Sequence, residues 1–190
     1  MAAKVGTRAA HQGIVAQIAA FGYADVEELC SHAVESAEAL LVVVDRVSDP
    51  GNLGAILRTC AGAGVDGVLL SAEDTVGLTA HVAKAAAGTL GRVPVAREAR
   101  PGPRIRQLRE CGFEALVLDP RGEVRWTEAD LGGKALLVVG GESRGPRPGV
   151  RDACSIRVAV PLAPGVESLN VAVSLGVLLF EAVRQRRFPA

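Results

Sequence analysis

Leu40-Leu41-Val42-Val43-Val44-Asp45-Arg46-Val47-Ser48-Asp49-Pro50-Gly51-Asn52-Leu53-Gly54 is the stretch whose reading decides the fold. Residues 40–44 are apolar and mostly β-branched, the pattern of a strand buried on both faces. A polar loop carrying Pro50 and Gly51 follows. Residues 53–63 then place apolar side chains at 53, 56, 57 and 60, a helical spacing that stops in Gly62 and Gly64. A doubly buried strand, a polar glycine-bearing loop and an amphipathic helix in succession form the repeating unit of an α/β domain.

The alternation continues outward from this unit. Upstream, residues 25–39 read as a helix capped by Asp25. Downstream, strands are expected at 67–70, 92–96 (an edge), 114–118, 135–139 and 155–160. Helices are expected at 79–87, at 105–111 after Pro101 and Pro103, and from 169 to about 186. The first half of that last helix is apolar almost all round and is expected to be buried. The expected fold is α/β, with a mainly parallel sheet flanked by helices and no internal repeat. Residues 1–20 read as a lead-in, and no second domain fits after residue 40.

The chain has 190 residues, 49% hydrophobic and 22% charged, enough for one domain with a full core. That balance excludes a disordered chain and a collagen-like repeat. The longest apolar run, residues 171–180, is too short to span a bilayer, and no signal peptide is visible, so a cytoplasmic protein without membrane attachment is expected. Lys plus Arg and Asp plus Glu are both 21, and zero net charge argues against non-specific coating of nucleic acid. Local basic patches remain open: Arg97, Arg100, Arg104, Arg106 and Arg109, read as a solvated helix face; Arg144, Arg147 and Arg151; and Arg184, Arg186 and Arg187. Cys30, Cys60, Cys111 and Cys154 are far apart, with no metal-ligand spacing, and read as buried free thiols. No metal is implied.

Three expected strands end in polar, glycine-bearing loops: residues 45–54, 140–146 and 161–170. Ligands of open α/β sheets bind at the carboxyl ends of strands, and free N–H groups at helix starts face the same crevice. The loops carry Asn52, Glu142, Ser168 and Asn170. They contain neither a G-x-G-x-x-G fingerprint nor a G-K-[ST] phosphate loop, and no G-x-S-x-G elbow is present. The three histidines do not accompany them. Dehydrogenase and hydrolase readings lose ground accordingly.

Asp45, Asp49-Pro50-Gly51-Asn52-Leu53-Gly54 and Arg58; then Gly140, Glu142 and Gly145; then Val160-Pro161 and Gly165-Val166-Glu167-Ser168-Leu169-Asn170-Val171 resemble three motifs of the SpoU (TrmH-like) RNA 2′-O-ribose methyltransferases of the SPOUT superfamily. The resemblance runs from about residue 11 to 187. The stretch beginning at His11 and the ending around Phe180-Glu181-Ala182-Val183-Arg184-Gln185 look most like the branch that methylates a guanosine of 23S ribosomal RNA. Transfer RNA, or a ribosomal site of antibiotic resistance, is the alternative target. A non-catalytic RNA-binding scaffold is the rival from another class.

The resemblance implies a C-terminal trefoil knot, which general topology rules would argue against, and a homodimer. It implies S-adenosylmethionine as methyl donor, leaving as S-adenosylhomocysteine, held on backbone around Val138, Gly140, Gly141, Val160, Leu162 and Leu169. It places Arg58, Glu142, Ser168 and Asn170 at the reacting ribose, with Asn52 in support. Plainer readings stand beside these roles: Arg58 as a surface cation, Asn52 and Asn170 as helix caps, Ser168 as loop support, Glu142 as a turn carboxylate. Ser143 and Arg144 depart from the usual glycine-containing stretch, which bears on substrate preference. Residues 21–190 are expected to form the catalytic domain. The N-terminal RNA-binding domain usual in that branch is expected to be absent, so the chain alone should bind the donor yet methylate ribosomal RNA weakly.

Overall fold

The computed structural model describes residues 21–141 and 144–188. The lead-in at 1–20 and two residues of the second loop, Glu142 and Ser143, lie outside them. Seven strands form one sheet: β1 (Leu40–Asp45), β2 (Gly67–Ser71), β3 (Val95–Glu98), β4 (Glu114–Leu118), β5 (Val124–Arg125), β6 (Ala135–Gly140) and β7 (Ile156–Ala159). Their order is β3-β2-β1-β6-β4-β7-β5, and each neighbouring pair is parallel. The helices are α1 (Val26–Glu35), α2 (Pro50–Ala63), α3 (Ala80–Ala85), α4 (Pro101–Glu110), α5 (Pro148–Arg151) and α6 (Val171–Arg187).

The alternation along β1 explains the three layers. Leu40, Val42 and Val44 pack on one face with Leu53, Ile56 and Leu57 of α2 and Leu175, Leu178 and Leu179 of α6. Leu41 and Val43 pack on the other with Leu29 of α1, Ile105 and Leu108 of α4 and Val150 of α5. A strand covered on both sides has no polar face, which is why residues 40–44 read as a continuous apolar run.

The differences from expectation have local causes. α2 begins at Pro50 rather than 53, because Asp49 caps it by accepting the Asn52 N–H at 2.7 Å and proline suits the first helical position. For the same reason Pro101 and Pro103 lie inside the first turn of α4 rather than before it. α1 stops at Ser36, short of residue 39. The edge strand is β3, a few residues later than expected. β5 and α5 are too short for any periodicity to have announced them. Gly64 closes α2 in the left-handed region at φ 73°.

The first half of α6 is not buried all round: Val173 is 55% exposed, and Phe180, two turns further on, is 54% exposed. The helix has two neighbours, the sheet and α2, and these leave a third side open. Nor are all the thiols buried, since Cys111 is exposed and Cys154 only half-buried. Burial pushes the Cys30 thiol up to about 11 and those of Cys60 and Cys154 up to about 12.

Most arginines of the expected basic clusters hold the fold together. Arg104 binds Glu98 and Glu27, Arg109 donates to the Ala153 carbonyl, and Arg97 donates to the Ala72 and Thr75 carbonyls. Arg184 pairs with Glu181. Arg186 donates to the carbonyls of Leu131, Glu38 and Gly133. No helix among the described residues is long and apolar enough to cross a membrane.

Candidate active site at the carboxyl end of the sheet

The chain adds β2 and β3 on one side of β1, then crosses to the other side for β4, β6 and β7. This reversal makes a crevice at the carboxyl ends of the strands, where the loops after β1, β6 and β7 meet. Asp45, at the end of β1, is fully buried. A carboxylate there needs a partner, and Arg147 provides it: Nη2 to Oδ1 is 2.6 Å, Nε to Oδ1 is 3.0 Å, and the Arg147 backbone N–H donates to Oδ2 at 2.7 Å. Arg147 also reaches Glu73 at 2.8 Å and the Ser71 hydroxyl. These hydrogen bonds push the guanidinium pKa up, against its desolvation. Arg147 is thereby removed from the basic cluster expected of Arg144, Arg147 and Arg151; its work is to fasten the loop after β6 to the end of β1.

Two glycines let that loop come close. At Gly140 a Cβ would lie 2.0 Å from the Pro146 nitrogen, and at Gly141 one would lie 2.2 Å from the Arg46 carbonyl oxygen. The Gly141 N–H donates to the Asp45 carbonyl at 3.0 Å, and Gly145 N–H donates back to the Gly141 carbonyl at 2.8 Å. Gly141 and Gly145, the two ends of this ribbon, are thereby paired with each other, and Gly141 is packed on the end of β1.

Beside the ribbon lies a cavity of about 490 Å3, within the range of about 300–1,000 Å3 typical of small-molecule sites. Its apolar walls include Val139, Val158, Val160, Leu162, Leu169 and Val171, and Gly140, Gly141, Gly145 and Pro146 form a backbone edge. Ser168 and Ser174, the acids Asp119 and Glu167 and the arginines Arg121, Arg144 and Arg151 add polar groups. Of the expected donor-site residues, Gly140, Gly141, Val160, Leu162 and Leu169 come together here. Val138 does not line the cavity: it packs on the α1–α4 side of the sheet, and its neighbour Val139 faces the cavity. Val139, Val158 and Asp119, which sequence reasoning did not single out, also line the cavity. β6 is apolar on both faces, so no alternation marks which side carries α6.

The expected reaction residues fall into three groups. Asn52 and Asn170 are brought together: Asn170 Nδ2 donates to Asn52 Oδ1 at 2.8 Å. Asn170 also caps α6, its Oδ1 accepting the Ala172 N–H at 2.9 Å, so capping and bridging coexist. Asn52 sits inside the first turn of α2, where Asp49 is the cap. Ser168 stands in the cavity wall. Arg58 is exposed on α2 and does not line the cavity; among the described residues its side chain makes no hydrogen bond or ion pair. Glu142 lies outside the described residues. No group of three His, Cys, Asp or Glu among the described residues is arranged to hold a metal ion.

The sequence profile described as "SpoU rRNA Methylase family" matches residues 39–180. An "Uncharacterized tRNA/rRNA methyltransferase" of Mycolicibacterium vanbaalenii is 37% identical over 97% of this chain and 59% of its own length. A "23S rRNA (guanosine-2'-O-)-methyltransferase RlmB" of Xylella fastidiosa is 40% identical over 96% of this chain and 74% of its own length. Among solved structures, the SpoU methyltransferase AviRb of Streptomyces viridochromogenes, crystallised with AdoMet, superposes with a TM-score of 0.75 at 28% identity, covering 82% of this chain and 60% of that one. The chain spans about three-fifths of the length of the mycobacterial relatives it matches.

Proposed function

The chain belongs to the SpoU rRNA methylase family, and from that premise we propose that it is an S-adenosylmethionine-dependent methyltransferase acting on a ribose 2′-hydroxyl of RNA, with a guanosine of 23S ribosomal RNA as target. The observation that carries this reading is the cavity itself: it stands where the loops after β6 and β7 and the start of α6 converge. The name of the Xylella relative supports the target, and the AdoMet complex of the Streptomyces neighbour supports the donor.

The residues present fit that donor. The valine and leucine walls suit a purine, and the glycine edge offers backbone groups for its rim. Asp119 and Glu167 suit the ammonium and sulfonium of such a ligand, and Arg121, Arg144 and Arg151 in the same lining suit its carboxylate. When bound, S-adenosylmethionine supplies a methyl group on a leaving group that needs no protonation.

What remains for the protein is to orient the 2′-oxygen and to stabilise charge as its proton departs. A guanidinium stays protonated at any accessible pH, so we assign Arg58 to an RNA phosphate and to the developing negative charge rather than to proton abstraction. Ser168 contributes a hydroxyl at the cavity wall. The Asn52–Asn170 bond locks the first turns of α2 and α6 together, which gives Arg58 and Ser168 a common rigid base. Glu142 keeps its assigned place on the motif alone.

The exposed stripe of Val173 and Phe180, seven residues apart on α6 and flanked by Gly62 of α2, supports a homodimer joined through the α2–α6 side. The strand order supports the trefoil knot: β7 lies beyond β4, yet residues 160–169 return across to β6 to wall the cavity. A cytoplasmic location accords with a ribosomal RNA substrate.

Methyl transfer to 23S ribosomal RNA and to transfer RNA, with the modified ribose mapped, tests the proposal. Label on a ribosomal guanosine 2′-oxygen is expected, and Arg58→Ala should abolish turnover while calorimetry shows unchanged donor affinity. Absence of donor binding, or label on a nucleobase, overturns the reading.

A further inference from the structure

The ribbon from Gly141 to Gly145 has a second hollow beside it. Arg46, Ser48, Asp74, Thr75, Val76, Gly141 and Arg144 line a groove of about 540 Å3. It lies over the β1–β2 side of the sheet, whereas the donor cavity lies over β4, β6 and β7. The two hollows share Gly141 and Arg144 and so adjoin each other.

The cations of this groove differ from those around it. Arg147 is taken up by Asp45, Glu73 and Ser71, and Arg97 by two carbonyls. By contrast, among the described residues the guanidinium of Arg46 donates no hydrogen bond and has one carboxylate neighbour, Asp74, which is 4.0 Å away and mostly exposed. Arg144 is exposed and likewise makes no hydrogen bond or ion pair among the described residues.

Arg46 also holds a backbone conformation that arginine resists. Its φ is 60°, in the region that glycine occupies without cost. The Arg46 N–H donates to Thr75 Oγ1 at 2.9 Å, and its carbonyl rests against Gly141. The position is thus fixed from both sides, with a charged side chain where a glycine would fold more easily. Strain kept in this way next to a ligand site marks a side chain with a use.

We propose that this groove binds a phosphodiester of the RNA substrate, with Arg46 and Arg144 as a two-arginine clamp and the Ser48 hydroxyl as a further donor. The inference deepens the RNA-methyltransferase reading and rests on it. A ribose whose 2′-oxygen meets the donor cavity carries phosphates on either side, and the hollow across the ribbon receives one of them. A pair at 4.0 Å whose carboxylate is exposed is weak, so a phosphate held by two guanidinium groups displaces Asp74.

The test is binding of a labelled single-stranded oligoribonucleotide across a salt series, with donor affinity measured in parallel. Arg46→Gly and Arg144→Ala are each expected to weaken RNA binding and to flatten the log K against log salt slope by about 0.7, the loss of one phosphate contact. Arg46→Lys should retain most of the slope. Arg46→Gly should bind the donor like the parent and should not lower the melting temperature. Slopes unchanged in Arg46→Gly and Arg144→Ala overturn the clamp, as does a parent chain that binds donor but no RNA. A parent chain that binds RNA with the expected slopes but no donor overturns the donor reading and leaves the clamp standing.

Discussion

Asn170 and Asn52, 118 positions apart in the chain, are joined side chain to side chain at 2.8 Å. Asn170 thereby does two jobs, ending the third loop with a helix cap and tying that cap to the first turn of α2. The jobs can be separated. Asn170→Ser keeps a capping oxygen but loses the amide that reaches Asn52, so it is expected to melt near the parent temperature yet transfer methyl groups poorly. Asn170→Ala loses both and should in addition cost about 1 kcal/mol. Thermal denaturation beside single-turnover kinetics distinguishes them.

The buried Asp45–Arg147 pair governs stability at the same end of the sheet. Asp45→Ala leaves Arg147 without its main partner and is expected to destabilise by about 3 kcal/mol. The Asp45→Ala, Arg147→Ala double variant should cost less than the sum of the single changes. A urea double-mutant cycle measures the coupling.

Gly140 has no room for a side chain. Because a Cβ there would meet the Pro146 nitrogen at 2.0 Å and the Gly145 carbonyl carbon at 2.3 Å, Gly140→Ala must push the ribbon outward. The expected result is a folded protein with at least tenfold weaker donor binding, read by calorimetry.

Arg58→Lys probes the geometry of the proposed phosphate contact. Lysine keeps the charge and loses the planar fork, so turnover should fall well below that of the parent, with donor affinity unchanged. Retention of most of the activity would show that charge alone suffices.

Acid stability is set partly at the far end of α6. Arg184 donates to Glu181 at 2.8 and 2.9 Å, and Gln185 donates at 2.9 Å. The Arg184 hydrogen bonds hold the Glu181 carboxyl below the ordinary carboxylate value, against the opposing effect of burial. A carboxylate with a lowered folded pKa stabilises fully above its unfolded value, and the contribution is lost as pH falls through the folded one. Glu181→Gln should therefore reduce stability at neutral pH and flatten its decline below about pH 4.5, as followed by denaturation across a pH series.

Much of this molecule was legible before any coordinates. The strands came through because a sheet covered on both faces needs unbroken apolar runs, and β1 and β6 have them. The loops after β1, β6 and β7 stood out because chemistry concentrates polar and glycine residues at strand ends. Three things were not legible. β5 is two residues long and held by pairing with β7, which leaves no local pattern. The separation of Val138 from Val139 depends on which face α6 covers, a tertiary fact. Arg147 read as one of a basic trio, although Asp45 at the end of an all-apolar strand was a signal that some distant cation had to be committed to it. Arginine composition alone does not distinguish a clamp from a free charge.

The two anchors of α6 hold it along one wall of the cavity, to which it contributes Val171 and Ser174. Asn170 pins the helix to α2 at one end, and Arg186 pins it at the other to carbonyls that precede β1 and β6. With 17 residues, about 25 Å long, α6 is a strut braced from the top of the sheet to the bottom. Both of its ends are thereby tied to other elements. The largely exposed span between Pro161 and Ser168 supplies Leu162, Glu167 and Ser168 to the remaining wall of the cavity.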